Sequence, residues 1–330
     1  MQQPYLLFLG DVADQLAAKT AHGILQWRPE ACLGQLRLPG CKADLGIRDL
    51  SIAEAAAQGA RTMVVAVANS GGVLAPHWIP SIVEALNAGL DVGSGLHQKL
   101  GDFPEIAEAA DRHGRELYDI RHPKQRFRTG TGAKRSGKRV LAVGTDCSCG
   151  KKYTALALTG ELQKRGVPAT FRATGQTGIM ISGAGVAIDA VVADFISGAV
   201  EWLAPANAPE HWDVIEGQGS LFHPAFAGVS MGLLHGAQPD ALVLCHEPTR
   251  THMRGLKHQP LPSLAECLEL NLRCARLTNP AVKAVGLSIY TANLPEAERA
   301  SYLAALEREF GLPACDPLNG GLGAIADRLL

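Results

Sequence analysis

The chain has 330 residues, of which 47% are hydrophobic and 19% charged, and its net charge is −1. This length favours two domains over one, and the composition excludes a disordered or highly charged chain. Aromatic residues make up only 5% while glycine contributes 36 residues, so we expect an aliphatic core and many tight turns. The near-zero net charge argues against a chain that binds polyanions as a whole.

The cysteines and the N-terminal segment predict where in the cell the protein is located. Eight cysteines are scattered without the spacing of a disulfide framework, which predicts reduced thiols and a cytoplasmic location. The apolar run at Tyr5–Leu9 is short and lacks a basic region before it, so neither a signal peptide nor a membrane partner is predicted. A homo-oligomer is compatible with this composition.

Residues 121–139 form an abrupt change in composition, with eight lysines and arginines and no acidic residue. Removing these eight positive charges from the total of −1 leaves −9 for the rest of the chain. The run is interpreted first as a solvated inter-domain linker and second as a basic strip beside a phosphate-bearing ligand. Because no aromatic residues alternate with the basic ones, a nucleic-acid partner is not predicted. The predicted domains are 1–125 and 139–330, with a basic linker at 126–138.

Short apolar runs alternate with amphipathic stretches before the basic run. Tyr5–Leu9 and Thr62–Ala68 are predicted buried strands, Ser81–Ala88 and Phe103–His113 are predicted helices, and Gly89–Gly93 is a predicted turn and strand. This alternation predicts βαβ units on a parallel sheet. No G-x-G-x-x-G motif follows the first strand, so the pattern is Rossmann-like without a predicted dinucleotide.

The same alternation resumes after the basic run. The predicted strands are Arg139–Val143, Ala169–Ala173, Trp212–Ile215, Ala241–Cys245 and Val282–Ser288, and the predicted helices are 150–165, Ile188–Leu203, Leu264–Leu277 and Glu296–Glu309. Ligands of open parallel sheets bind at the carboxyl ends of the strands. We therefore expect the loops after residues 143, 173, 215, 245 and 289 to converge.

The first of these loops is a predicted phosphate cradle. The sequence G-T-D-C-S-C-G-K joins a strand to a helix, so backbone N–H groups, the helix N-terminus and a lysine would face an anion. The spacing is one residue longer than in the usual P-loop and is similar to the loop of dethiobiotin synthetases. The predicted cofactor-binding residues are Gly144, Thr145, Asp146, Cys147, Ser148, Cys149, Gly150, Lys151, Lys152, Tyr153 and Thr154.

Position 152 departs from the P-loop pattern. The residue after Gly-Lys is normally a serine or threonine that ligates Mg²⁺, but here it is Lys152, and a second ammonium repels a cation. Thr154 lies two residues further and faces another direction of the helix. The sequence thus predicts phosphate binding without a metal, which disfavours ATP hydrolysis and favours a pyrophosphate-bearing acyl carrier such as coenzyme A. Cys147 and Cys149 lack the ligand spacing of a zinc site.

Polar residues also follow three later strands. The loop with Thr174, Gln176 and Thr177 either lines the site or is a plain glycine-rich turn. Glu216 ends an apolar strand before Gly-x-Gly-Ser, where it would serve as a metal ligand, a base or a partner of Lys151. The last two roles are favoured because the ammonium of Lys152 would repel a metal ion.

The segment from His246 to Gly255 is dense in functional side chains. Glu247 and a second histidine accompany two arginines, Arg250 and Arg254. Guanidinium groups bind carboxylates with two hydrogen bonds, and histidine transfers protons near neutral pH. We therefore interpret the cluster as functional.

These motifs together resemble one bacterial family. They are the loop Gly144–Thr154, ATGQTG at Ala173–Gly178, IDAVVADFISGAVEW, EGQGS at Glu216–Ser220, CHEPTRTHMRG and the N-terminal segment Ser70–Leu100. The family, long of unknown function, joins a Rossmann-like domain to a P-loop domain and includes D-glutamate N-acetyltransferases. The resemblance covers nearly the whole chain. It implies an α/β fold in which an N-terminal Rossmann-like domain precedes a P-loop NTPase-like domain with a mostly parallel sheet.

The resemblance also implies a reaction, namely acetyl transfer from acetyl-CoA to the amino group of an amino acid, above all D-glutamate, in D-amino-acid catabolism. With that reaction the base is His246 or Glu247, with Glu216 as the alternative. The predicted substrate-binding residues are Arg172, Gln176, Thr177, Arg250 and Arg254. Two rival interpretations are an ATP/Mg-dependent carboxylate-activating enzyme of the dethiobiotin synthetase type and a non-catalytic nucleotide- or CoA-binding protein.

Overall fold

A computed structural model describes residues 1–123 and 125–330, without the side chain of Ser70. Lys124, which belongs to the basic run, lies outside the described residues. Packing divides the chain into two compact units. The first comprises 1–125 and 176–190, and the second comprises 126–175 and 191–330.

The secondary structure alternates between strands and helices along most of the chain. The strands are β1 (Tyr5–Gly10), β2 (Cys32–Arg37), β3 (Thr62–Val65), β4 (Asp91–Ser94), β5 (Leu117–Asp119), β6 (Lys138–Gly144), β7 (Ala169–Arg172), β8 (Trp212–Ile215), β9 (Ala241–His246), β10 (His252–Met253), β11 (Leu256–Pro260), β12 (Lys283–Ile289) and β13 (Ala314–Cys315). The helices are α1 (Lys19–Trp27), α2 (Ile52–Ala57), α3 (Ile79–Asn87), α4 (Pro104–His113), α5 (Lys151–Lys164), α6 (Gln176–Ser182), α7 (Ile196–Leu203), α8 (Ala227–Ala237), α9 (Leu264–Ala275), α10 (Glu296–Phe310) and α11 (Gly323–Asp327).

The first unit is built on a parallel sheet with the strand order β2-β1-β3-β4-β5. All residues of β1, β3 and β4 are buried, as expected for strands covered by helices on both faces. Helix α6 packs on α1 within this unit. It contributes Ile179, Met180 and Ile181 as buried side chains.

The second unit is built on a parallel sheet with the order β13-β12-β9-β6-β8-β7. Its core lies between the sheet and helices α5 and α11, where Val140, Leu158, Val243 and Ile325 belong to one buried cluster. The prediction of an α/β protein with parallel sheets is therefore confirmed. Among the described residues, no helix has both the length and the apolar character needed to cross a bilayer.

Two local predictions were wrong. Residues 188–203 do not form one helix, because 3₁₀ turns at Ile188–Ala190 and Ala193–Phe195 precede α7. β-Branched valines and short aspartates in this stretch favour other backbone conformations, and Val192 has a ψ of 136°. The glycine-rich turn interpretation of the segment from Gln176 onward was also wrong, since α6 begins there. Its apolar residues are buried in the first unit, which is why 176–190 groups with that unit and not with 139–330.

The basic segment 126–137 runs over the surface of the second unit. The N–H and hydroxyl groups of Thr131 donate to Glu201 of α7 at 2.9–3.1 Å. Lys134 pairs with Asp240 at 2.9 Å. Asp240 directly precedes β9, so this contact lies at the amino-terminal edge of the sheet, opposite the loop after β6. The structure therefore does not support a strip from Lys134 to Lys138 that borders the phosphate cradle.

Replacing Gly198 in α7 with alanine tests this packing. A Cβ at position 198 would lie 1.8 Å from the carbonyl oxygen of Arg128, so we expect Gly198→Ala to lower the free energy of unfolding by about 1–3 kcal/mol. Gly160 in α5 has open space around the same position. Gly160→Ala is the matched control and should raise stability by about 0.5–1 kcal/mol. Urea unfolding followed by tryptophan fluorescence measures both; equal effects of the two variants would contradict the packing.

Candidate active site

The carboxyl ends of three neighbouring strands bring polar loops together. Strand β6 lies between β8 and β9, with Gly144 beside Cys245 and Leu141 beside Ile215. The chain reaches β8 and β9 on opposite sides of β6, and open α/β sheets place a ligand crevice at such a point. We call the loops 144–150, 216–226 and 246–254 the site loops.

The loop from Gly144 to Gly150 has the shape of an anion cradle. Ser148 and Gly150 have φ angles of 52° and 104°, and the resulting turn starts α5 at Lys151, whose N-terminal amides attract anions. The Lys151 ammonium is buried and donates to the carbonyl oxygen of Asp146 at 2.6 Å. Its positive charge is thus held against the loop and not in solvent.

A buried carboxylate braces this loop. The side chain of Asp146 is fully buried, and its Oδ2 accepts hydrogen bonds from Arg250 Nη1 at 2.6 Å and from the backbone N–H of Arg254 at 2.8 Å. Arg250 also donates to the carbonyl oxygen of Cys147, and Arg254 donates to Ser148 Oγ. Both arginines therefore hold the loop in place, and their predicted binding of substrate carboxylates stays a prediction.

The first turn of α5 presents an ammonium where P-loop enzymes present a metal-binding hydroxyl. Lys152 Nζ lies 4.5 Å from the centre of the Tyr153 ring. The hydroxyl of Thr154 donates to the carbonyl oxygen of Gly150 at 3.0 Å and contacts Ser288 Oγ at 2.7 Å. Thr154 is buried and faces the sheet, so its hydroxyl is committed to protein partners and not directed to a phosphate-bound metal.

The predicted base residues His246 and Glu247 lie at the end of β9. His246 is buried, and its Nδ1 lies 3.0 Å from Thr145 Oγ1 of the phosphate loop. Burial lowers the pKa of His246 to about 4, so the ring is neutral at physiological pH. Glu247 accepts from the hydroxyl of Thr249 at 2.6 Å and lies 3.7 Å from Arg250 Nε.

Glu216 lies at the end of β8, close to both lysines of the cradle. Its Oε2 accepts the backbone N–H groups of Thr174 and Gly175 at 3.0 and 3.2 Å. Burial raises its pKa to about 7, opposed by these hydrogen bonds and by the charges of Lys152 and Lys151. A carboxyl with such a pKa exchanges a proton near neutral pH, which suits acid–base chemistry.

Arg172 is not brought into the site loops. Its Nε donates to Asp213 Oδ1 at 2.7 Å, and Asp213 is almost fully buried. Because Asp213 pairs with Thr170 in the strand register, this bond points back along β7, away from its carboxyl end. The contact is typical of a structural ion pair, so its position does not support substrate binding by Arg172.

Gln176 and Thr177 lie at the start of α6 and belong to the first unit. The Gln176 amide donates to the carbonyl oxygen of Gly95 at 2.7 Å. Thr177 Oγ1 lies 3.2 Å from Thr20 Oγ1. These bonds connect α6 to its own unit, and the substrate-binding role of both residues stays a prediction.

Sequence reasoning missed three residues at the same sheet edge. His223 is buried in the loop after β8, Ser288 bonds Thr154, and Tyr290 stacks on Tyr153 with ring centres 6.2 Å apart. Tyr290 directly follows β12, so its position after a predicted strand was the available signal. No motif marks His223.

The pH dependence of stability tests the environment of Glu216. The native carboxyl holds its proton up to about pH 7, while the unfolded one loses it above 4.5. The folded protein therefore loses stability as the pH rises through this window, by at most about 1.4 kcal/mol per pH unit. Glu216→Gln removes this loss. Urea unfolding should show that the free energy of unfolding of the variant, relative to that of the native protein, is higher at about pH 8 than at about pH 5. A difference between the two proteins that does not change with pH would contradict the raised pKa.

Comparison with known proteins places both halves of the chain in one family. Residues 36–123 match the family described as "Domain of unknown function (DUF1611_N) Rossmann-like domain". Residues 126–326 match "Domain of unknown function (DUF1611_C) P-loop domain". The predicted combination of a Rossmann-like and a P-loop domain is thereby confirmed.

Full-length relatives agree with this assignment. The chain is 53% identical over 329 residues to a protein of Tritonibacter scottomollicae named D-glutamate N-acetyltransferase, covering 100% of this chain and 99% of the relative. A protein of the same name from Pseudoalteromonas sp is 52% identical with the same coverage. The crystal structure of a DUF1611 family protein from Anabaena variabilis has a TM-score of 0.90 at 30% identity, covering 99% of each chain. The chain belongs to the DUF1611 family.

Proposed function

We propose that this protein is a D-glutamate N-acetyltransferase that takes its acetyl group from acetyl-CoA and serves D-amino-acid catabolism. Identity of 52–53% over the full length to two proteins of that name supports the enzyme class and the amino-acid substrate. The phosphate loop supports the donor. It has the backbone N–H and ammonium groups to bind a diphosphate. The hydroxyl of Thr154 is bonded to Gly150 and Ser288 and is not directed to a phosphate-bound metal, which favours coenzyme A over ATP·Mg²⁺.

The reaction needs a base, because an amino acid carries an ammonium group that must lose a proton before nitrogen can attack. Glu216 suits this role best among the three predicted residues, since its pKa of about 7 lies near the working pH. His246, with a pKa of about 4, is a much weaker base. Because Oε2 of Glu216 is occupied by two backbone N–H groups, Oε1 is the oxygen assigned to the proton.

The substrate carboxylates need cationic or N–H partners. Arg254 lies at the edge of the cradle, with one guanidinium nitrogen on Ser148 Oγ at 2.5 Å. We assign carboxylate binding first to Arg254. Arg250 uses Nη1 and Nη2 for Asp146 and the backbone carbonyls of residues 147 and 148, so it contributes mainly by holding the loop.

A free-thiol assay separates this proposal from its rivals. The enzyme is incubated with acetyl-CoA and each of a panel of D- and L-amino acids, with and without ATP·Mg²⁺. Thiol release with D-glutamate in the absence of ATP supports the transferase. Release that depends on ATP favours a carboxylate-activating enzyme, and ligand binding without turnover favours a binding protein.

The donor site is tested by Lys151→Ala. Removing an ammonium held in the cradle should weaken acetyl-CoA binding about 10- to 100-fold, as expected for a lost charged hydrogen bond. Lys164→Ala, at the exposed far end of α5, is the matched control and should leave the affinity unchanged. Isothermal titration calorimetry measures both. Unchanged affinity in Lys151→Ala would remove the cradle from the proposal.

A further inference from the structure

His223 is a buried histidine to which the proposed reaction assigns no role. It lies in the loop after β8 and is 2% exposed. Its ring packs against that of Phe226, with centres 4.5 Å apart and planes tilted by 31°. The backbone N–H groups of Phe226 and Ala227 donate to the carbonyl oxygen of His223. The backbone at His223 is therefore held by hydrogen bonds, and its ring is packed against Phe226.

The hydrogen bond at one ring nitrogen fixes where the proton lies on the other. Nδ1 accepts the backbone N–H of Ala225 at 3.2 Å. A neutral imidazole that accepts at Nδ1 carries its hydrogen at Nε2. Within the described part of the chain, Nε2 is buried without a hydrogen-bond partner. Buried donors are nearly always paired, so this N–H is suited to a ligand oxygen.

The phosphate loop contains a buried acceptor that also has no hydrogen-bond partner among the described residues, Oδ1 of Asp146. A ring nitrogen of His223, Cys147 Sγ and a carboxylate oxygen of Asp146 lie within 4.8 Å of one another. Arg250 and Arg254 occupy Oδ2 of Asp146. Its Oδ1 is buried and has no hydrogen-bond partner among the described residues. The side chains of His223 and Asp146 are thus neighbours at the cradle, and among the described residues each has one buried polar atom without a hydrogen-bond partner.

The tautomer decides what this cluster is suited to bind. A metal-ligating histidine presents a lone pair and donates its other N–H to an acceptor. Here Nδ1 of His223 already accepts the N–H of Ala225, so the nitrogen that remains for a ligand is Nε2, which carries a hydrogen. That arrangement matches a carbonyl oxygen better than a cation.

We propose that His223 and Asp146 are catalytic residues of acetyl transfer, an inference that rests on the proposed function. His223 Nε2–H donates to the carbonyl oxygen of the acetyl thioester, and Asp146 Oδ1 accepts an N–H of the attacking amine. The two side chains then hold the thioester carbonyl and the attacking amine next to each other. A hydrogen-bond donor directed at the oxygen on which negative charge develops stabilises the transition state.

The step balances without a further reactant. The base removes one proton from the substrate ammonium, and the nitrogen lone pair forms a bond to the acetyl carbon. The carbonyl π pair moves to oxygen, where the His223 N–H stabilises it. Collapse restores the carbonyl, breaks the C–S bond and releases the coenzyme A thiolate. The amide nitrogen gives up its extra proton, and the thiolate takes one to become the thiol.

Two substitutions at His223 separate hydrogen bonding from packing. His223→Phe keeps a ring against Phe226 but has no donor, so kcat should fall about 10²- to 10³-fold, while the Kd of acetyl-CoA should rise by no more than about tenfold, the value of one neutral hydrogen bond. His223→Gln restores an N–H donor and should recover most of the loss. His235→Phe, in the last turn of α8, replaces another histidine whose Nε2 is unpaired within the described residues, and should keep the native kcat.

Thiol release with D-glutamate measures kcat and calorimetry measures Kd, with the native enzyme alongside. A native kcat in His223→Phe, or loss of acetyl-CoA binding together with kcat, overturns the inference while leaving the proposed function intact. An acetyl group found on Cys147 by mass spectrometry after mixing with acetyl-CoA alone also overturns direct transfer. Absence of turnover in the native enzyme overturns both the inference and the function on which it rests.

Discussion

A buried carboxylate ties together the two loops on which the candidate site depends. Asp146 sits in the loop after β6, and its partners, the Arg250 guanidinium and the Arg254 backbone N–H, belong to the loop after β9. A charge removed from water is tolerated only when it is paired and hydrogen bonded. Replacing this single side chain would therefore release the phosphate loop and both arginines together.

The charges around the loop are the basis for proposing a ligand that binds without a metal. Lys152 occupies the position of the metal-binding hydroxyl, and the nearest hydroxyl, on Thr154, is bonded into the sheet. Under the proposed function, the ammonium groups of Lys151 and Lys152, whose charges act on Glu216, supply the positive charge that Mg²⁺ supplies in other P-loop proteins. Burial keeps the pKa of this carboxyl high enough to exchange a proton near neutral pH.

The sequence predicted what local patterns encode. Ala241–Cys245 was predicted as a strand because a short, continuous apolar run is typical of a strand buried on both faces of a sheet, and the spacing from Gly144 to Lys151 predicted the turn between β6 and α5. Contacts between side chains and backbone groups that only folding brings together could not be predicted from the sequence. The contact of residue 254 with Asp146 uses a backbone N–H, which every residue except proline has, and the role proposed for His223 rests on a tautomer set by a neighbouring amide. The ion pair of Arg172 was also not predictable, because its partner Asp213 lies on the adjacent strand, 41 residues away in the sequence.

The central claim is that the loop binds the diphosphate of acetyl-CoA through protein cations and backbone amides. Titration calorimetry of acetyl-CoA in buffer containing EDTA, repeated in excess Mg²⁺, tests it most directly. The account predicts saturable binding in EDTA with the same Kd in Mg²⁺. Binding that appears only when Mg²⁺ is present would contradict it.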